Sequence, residues 1–146
     1  MSTYATSEES TYAGYLIRIN GSTNYVIPMK YLQANSYKVT RNIQDLDSTR
    51  DANGELHRNA LSHVPIKIEC NTVPMLTDSE WASIIHNISS RWTIAEERKA
   101  SVTCYVPETN EYVTQDMYMS DIAIEIYGTY EDKIHYNAIG LTWIGY

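Results

Sequence analysis

The feature that most constrains this chain is an alternation of period two that recurs through most of its length. Between Val64 and Thr72, Ile66, Ile68 and Cys70 fall on one side while Lys67, Glu69 and Asn71 fall on the other. A β-strand points successive side chains to opposite faces, so such a run buries one face and wets the other. Ala100 to Val106 repeats the pattern, with Val102, Cys104 and Val106 on one face. A turn at Pro107–Asn110 returns the chain as Glu111 to Met119. Ile122 to Tyr127, closed by Gly128, and Tyr136 to Tyr146, carrying Trp143, add two more strands. Upstream, Tyr15 to Ile19 stops at Asn20-Gly21, a favoured tight-turn pair, and Asn24 to Met29 returns to end near Pro28. Ser36 to Ile43 sets Tyr37, Val39 and Arg41 against Lys38, Thr40 and Asn42.

One segment breaks this period. Thr77-Asp78-Ser79-Glu80 is a capping box, in which the Thr77 hydroxyl accepts from the Glu80 amide and the Glu80 side chain reaches back to the Thr77 amide. Trp81, Ile84, Ile85 and Ile88 follow at the spacing of one helical face, which predicts an amphipathic helix from Asp78 to about Ser90. The expected fold is mainly β within the α+β class, a sandwich or barrel of about seven or eight antiparallel strands with one helix and a long hairpin loop. Residues 1–13 are polar and aperiodic and read as a flexible arm, leaving residues 14–146 as a single domain.

That hairpin loop is Asp45 to Arg58, which is polar, holds Asn53-Gly54 and shows neither period. Loops of this length inside a domain are usually functional or disordered. Its alternate Asp45, Asp47, Thr49, Asp51 and Asn53 invite a calcium reading. A helix–loop–helix calcium site needs Gly sixth and Glu twelfth; with Gly54 sixth, the first position is Thr49 and the twelfth Ala60, and neither serves. The histidines His57, His63, His86 and His135 show no metal-ligand spacing. No GxSxG, phosphate loop or Cys–His pair is present, so the sequence offers no catalytic residue, no cofactor and no metal, and the chain reads as a non-enzyme.

Composition narrows the partners. A net charge of −7 argues against a grip on nucleic-acid phosphates, though not against a surface that DNA must pass without sticking. Thirteen Tyr and three Trp stand against no Phe, which suits half-wet sheet faces and contact surfaces; compositional drift is the plain alternative. Cys70 and Cys104 sit in apolar strands and default to buried, reduced thiols, with a disulfide between them left open. No apolar run is long enough to span a bilayer, and the polar start does not read as a secretory signal, so synthesis in a cytoplasm is expected.

Several short motifs follow one another along the chain: Ile17-Arg18-Ile19-Asn20-Gly21, then Ile43-Gln44-Asp45-Leu46-Asp47-Ser48 with Arg50, Asn53-Gly54 and His57-Arg58. Met75-Leu76-Thr77-Asp78-Ser79-Glu80 and Val102-Thr103-Cys104-Tyr105-Val106-Pro107-Glu108-Thr109-Asn110 come next. Together, in this order, they resemble a family of small, uncharacterised tail proteins from phages and prophages of Gram-positive bacteria. Asn110 replaces the Gly usual at that hairpin, and the N-terminal arm lies outside the resemblance. The resemblance implies a virion part made in the bacterial host cytoplasm, with a tail-tube-like fold. It implies six copies closing a ring by head-to-tail contacts, among tube, hub and tape-measure proteins, with DNA passing the lumen and no membrane insertion. On that reading Asp45, Asp47, Arg50, Asp51, Glu55, His57 and Arg58 are candidate subunit-interface residues, paired with charges on a neighbour. A tail connector or terminator is the alternative in the same class. A carbohydrate- or receptor-binding sandwich using Trp92 and Trp143 is the alternative from another.

Overall fold

The computed structural model describes residues 10–41, 45–50, 52–60 and 64–146. Within them lie twelve strands and one α-helix: β1 Ile17–Asn20, β2 Tyr25–Val26, β3 Lys38–Arg41, β4 Asp45–Arg50, β5 Leu56–Ala60, β6 Ile66–Asn71, β7 Leu76–Thr77, α1 Asp78–Ser89, β8 Lys99–Val106, β9 Glu111–Met119, β10 Ile126–Tyr130, β11 Lys133–Tyr136 and β12 Gly140–Gly145. Seven strands form one antiparallel sheet in the order β2-β1-β8-β9-β12-β6-β3. β10, β11 and β7 form a small second sheet beside the helix, and β4 pairs with β5 alone. The mainly β expectation with a single helix holds.

The alternation becomes the core. Register places Ile17 opposite Cys104 and Ile19 opposite Val102, Ala100 opposite Met117, and Trp143 between Met119 and Ile68. All of these side chains are buried on one face. The capping box starts α1 as expected, and Trp81, Ile84 and Ile88 close the core from the helix side. Burying each such side chain contributes roughly 1.5–3 kcal/mol.

The sheet is curled rather than flat. β3 lies four strands from β8, a distance of about 19 Å in a flat sheet at ~4.8 Å per strand. Yet the Tyr37 hydroxyl, just before β3, donates to the Tyr105 carbonyl on β8 at 2.7 Å. Arg41 on β3 likewise pairs with Glu108 in the turn after β8. The two ends therefore approach over the core, but β2 and β3 do not pair, so the barrel stays open.

Three sequence expectations change. Asp45–Arg58 is not a long loop but a two-stranded hairpin with the turn at 52–55. The strand expected at Ile122–Tyr127 forms at Ile126–Tyr130, with Gly128 inside it at a register irregularity. The expected terminal strand Tyr136–Tyr146 forms over Gly140–Gly145 as β12, while Tyr136 ends a separate strand, β11, absent from the sequence expectations. The two-residue Glu131-Asp132 turn, with φ of 54° and 60°, has the left-handed backbone of a tight hairpin turn and sets the β10–β11 register. Cys70 and Cys104 are both free and buried.

Candidate functional site: a hairpin arm and exposed sheet edges

Asp45, Asp47 and Arg50 lie on β4, Glu55 precedes β5, and His57 and Arg58 lie on β5, so six of the seven candidate interface residues share one hairpin. Asp51 lies outside the described residues, as does His63. β4 and β5 pair only with each other. An isolated two-stranded hairpin is marginal in water and gains stability by packing on something else. The chain enters this arm from β3, a free edge of the large sheet, and leaves it into β6.

The root of the arm is clamped. Gln115 on β9 accepts from the Ile66 amide at 3.2 Å and donates to the Val64 carbonyl at 2.7 Å. β12 runs between β9 and β6, so this side chain must cross it, and it does so at Gly145. A Cβ there would stand 2.7 Å from Gln115 Oε1 and 2.9 Å from the Ile66 nitrogen. Only glycine leaves that passage open.

The face of the large sheet turned from the core is polar and tied together. Asn20 donates to Thr103 Oγ1 at 2.9 Å, Arg18 donates to Asn20 at 2.9 Å, and Thr103 and Thr114 share a 2.7 Å hydroxyl bond. Near the N-terminus the Ala13 amide donates to the Tyr112 hydroxyl, which donates in turn to the Tyr15 carbonyl. Tyr112 packs on both Tyr15 and Tyr105, with centroids 4.9 and 5.5 Å away. The tyrosines thus work as amphipathic surface plates. At the other end, Tyr146 donates to Glu97 at 2.6 Å, and that bond is the main influence raising its phenol to about 12.

A cleft of about 240 Å³ opens between α1 and the 119–124 segment, lined by Trp81, Ile85, Trp92, Arg98, Met119, Ile122 and Ile124. Trp143 is fully buried and Trp81 nearly so, which removes Trp143 as a sugar-stacking platform. Trp92 packs against the core with its indole nitrogen buried and unbonded among the described residues. No group of three His, Cys, Asp or Glu side chains converges among the described residues. No described helix is long and apolar enough to cross a membrane.

The edge signal missed in the sequence is β10. Ile124, Ile126, Tyr127 and Tyr130 are 40%, 60%, 56% and 52% exposed. β10 pairs with β11 on one side only. Tyr130 lies over Gly128 and near Tyr127 and His135. The run of apolar residues was legible, but its exposure was not.

The fold has a counterpart among solved structures. A chain from the structure described as "Tail of empty GTA particle computed with helical refinement, C6 symmetry" superposes with a TM-score of 0.55 at 12% identity, covering 94% of this chain and 95% of that one. No curated protein matches. The model of a family described as "Family of unknown function (DUF6711)" matches residues 10–146, and the chain belongs to that family.

Proposed function

We propose that this protein is a non-enzymatic structural subunit of a phage tail, six copies of which close a ring in the tube or baseplate-hub region. The observation that carries the reading is the full-length likeness of its fold to a chain of a six-fold symmetric particle tail. Membership in a family of unknown function is compatible with it and adds no role. A cyclic ring of six needs a heterologous interface, in which two different surfaces of the subunit meet. The hairpin arm suits one side of it, since β4 and β5 have no other strand partner among the described residues. Asp45, Asp47, Arg50, Asp51, Glu55, His57 and Arg58 are its proposed contacts, with residues 1–13 proposed as a further arm whose end, at Thr11 and Ala13, bonds to Asn110 and Tyr112 of its own chain.

Other tail proteins would be the partners above and below, and the virion the location, after synthesis in the host cytoplasm. DNA passing the lumen would be repelled by the chain's net charge of −7 without sequence-specific contact. Deleting residues 46–57 and imaging assembly by electron microscopy tests the reading. Loss of rings or particles, with the melting of the remaining fold retained, is expected. Unimpaired assembly would remove the arm from the interface, and a wild-type chain found in no particle would remove the tail assignment.

A further inference from the structure

We infer that the open edge of β10 is the other side of that interface and adds, as an extra strand, to the open β3 edge of the next copy. The inference rests on the ring reading and names the elements that would make it.

An exposed edge strand offers a row of unpaired amides and carbonyls to any passing strand. Proteins ordinarily blunt such edges with lysine, proline, a strong twist or a covering loop. β10 reads Ile126-Tyr127-Gly128-Thr129-Tyr130, with neither lysine nor proline; a register irregularity marks its start between Ile126 and Gly128, and its large side chains are exposed. Neighbours in a regular strand face opposite ways, and beyond the irregularity at Ile126–Gly128 the exposure of both Thr129 and Tyr130 leaves both faces of the strand open. A surface this apolar, extended along the chain by the exposed Ile124, marks an interaction site.

The outward hydrogen-bonding groups can be named. Tyr130 faces Lys133 across the two-residue turn, which makes theirs the hydrogen-bonded pair. Thr129, opposite Ile134, is then in a non-bonded pair, and its amide and carbonyl point away from β11.

Charge selects the occupant. Asp121, Glu125, Glu131 and Asp132 flank β10, all exposed, with Lys133 the one cation in that stretch. Among the described strands β3 is one of the two edges of the large sheet, with β2 the other, and it reads Lys38-Val39-Thr40-Arg41, with Lys67 opposite Thr40 on β6. Arg41 is paired with Glu108 and Lys67 with Glu69, so the exposed Lys38 carries the remaining positive charge of that edge. The acidic, apolar strand and the basic edge are complementary, distinct and carried by one chain. Those are the requirements of a head-to-tail contact between copies.

The test uses the purified full chain, with mass measured by light scattering across a concentration series and rings counted by negative-stain microscopy. Thr129→Pro removes the outward amide and leaves the β10–β11 bonds in place, because an edge strand accepts proline there. The variant should keep the wild-type circular dichroism and melting while its assembly midpoint rises at least tenfold. Glu125→Lys and Lys38→Glu should each weaken assembly, and the double variant should recover to within about threefold of wild type. Wild-type rings that form equally well from Thr129→Pro, or a double variant no better than the singles, would overturn the β10–β3 pairing while leaving the ring standing. A wild-type chain that stays single throughout would overturn the ring itself.

Discussion

Replacing Tyr37 with Phe isolates the bond that draws the curled sheet together. The phenol donates to the Tyr105 carbonyl at 2.7 Å, bridging strands that are four places apart in the sheet. Phe keeps the ring and deletes only that donor. A lost net hydrogen bond with an orphaned buried acceptor costs roughly 1–3 kcal/mol. Unfolding entropy near 2.1 cal/mol/K per residue over 146 residues turns ~1.5 kcal/mol, in the lower half of that range, into a fall in Tm of about 5 °C. Differential scanning calorimetry at pH 7 reads it directly. Burial is the main reason the phenol is raised well above its ordinary 10.0, with smaller contributions from Cys104 and Cys70. A raised acid favours the folded state while it stays protonated. The wild type therefore holds this contribution below pH 10 and loses it as pH climbs toward the folded-state value, whereas the Phe variant has nothing there to lose. The gap between the two proteins should narrow above pH 10. A Tm change under about 1 °C at pH 7, or a gap that stays constant into alkali, would refute the view that this hydroxyl ties the sheet ends.

Two further outcomes follow from the core. Gly145→Ala pushes a Cβ against Gln115 and the Ile66 backbone, which should destabilise by about 2 kcal/mol through overpacking and the lost Gln115 bonds; urea unfolding measures it, and an unchanged midpoint would contradict the crossing. Burial pushes both Cys70 and Cys104 up to about 12, so a thiol reagent at pH 8 should find neither in the native protein and two equivalents in denaturant; rapid native labelling, or fewer than two on unfolding, would contradict the buried reduced pair.

How much of this was legible follows from what buries a face. Ile66–Cys70, Val102–Val106 and Trp81–Ile88 carry their periods because each packs on the core, and each was placed within a residue or two. Among the described strands β4 and β5 pair only with each other, and Asp45-Leu-Asp-Ser-Thr-Arg50 and Leu56-His-Arg-Asn-Ala60 carry no apolar alternation to be read. β10 misled for a related reason. Ile122, Ile124 and Ile126 alternate, but only Ile122 packs on the core. The strand's position is instead set by the Glu131-Asp132 turn, and its two left-handed residues carry no glycine to announce it. The interface candidates were legible as a polar cluster and became a hairpin only in three dimensions.

The position of β12 has a consequence for how the molecule comes into being. It is the furthest of the described strands along the chain, yet it sits inside the large sheet, joining β9 to β6. Until residue 145 is available, the β2-β1-β8-β9 half and the β6-β3 half share no ladder. A ribosome-bound intermediate would thus display two extra raw strand margins, and would be more prone to stick to its siblings than the finished subunit. Such non-local closure is slow, so the large sheet becomes whole only after synthesis has passed this point, and copies terminated before it would keep both margins exposed.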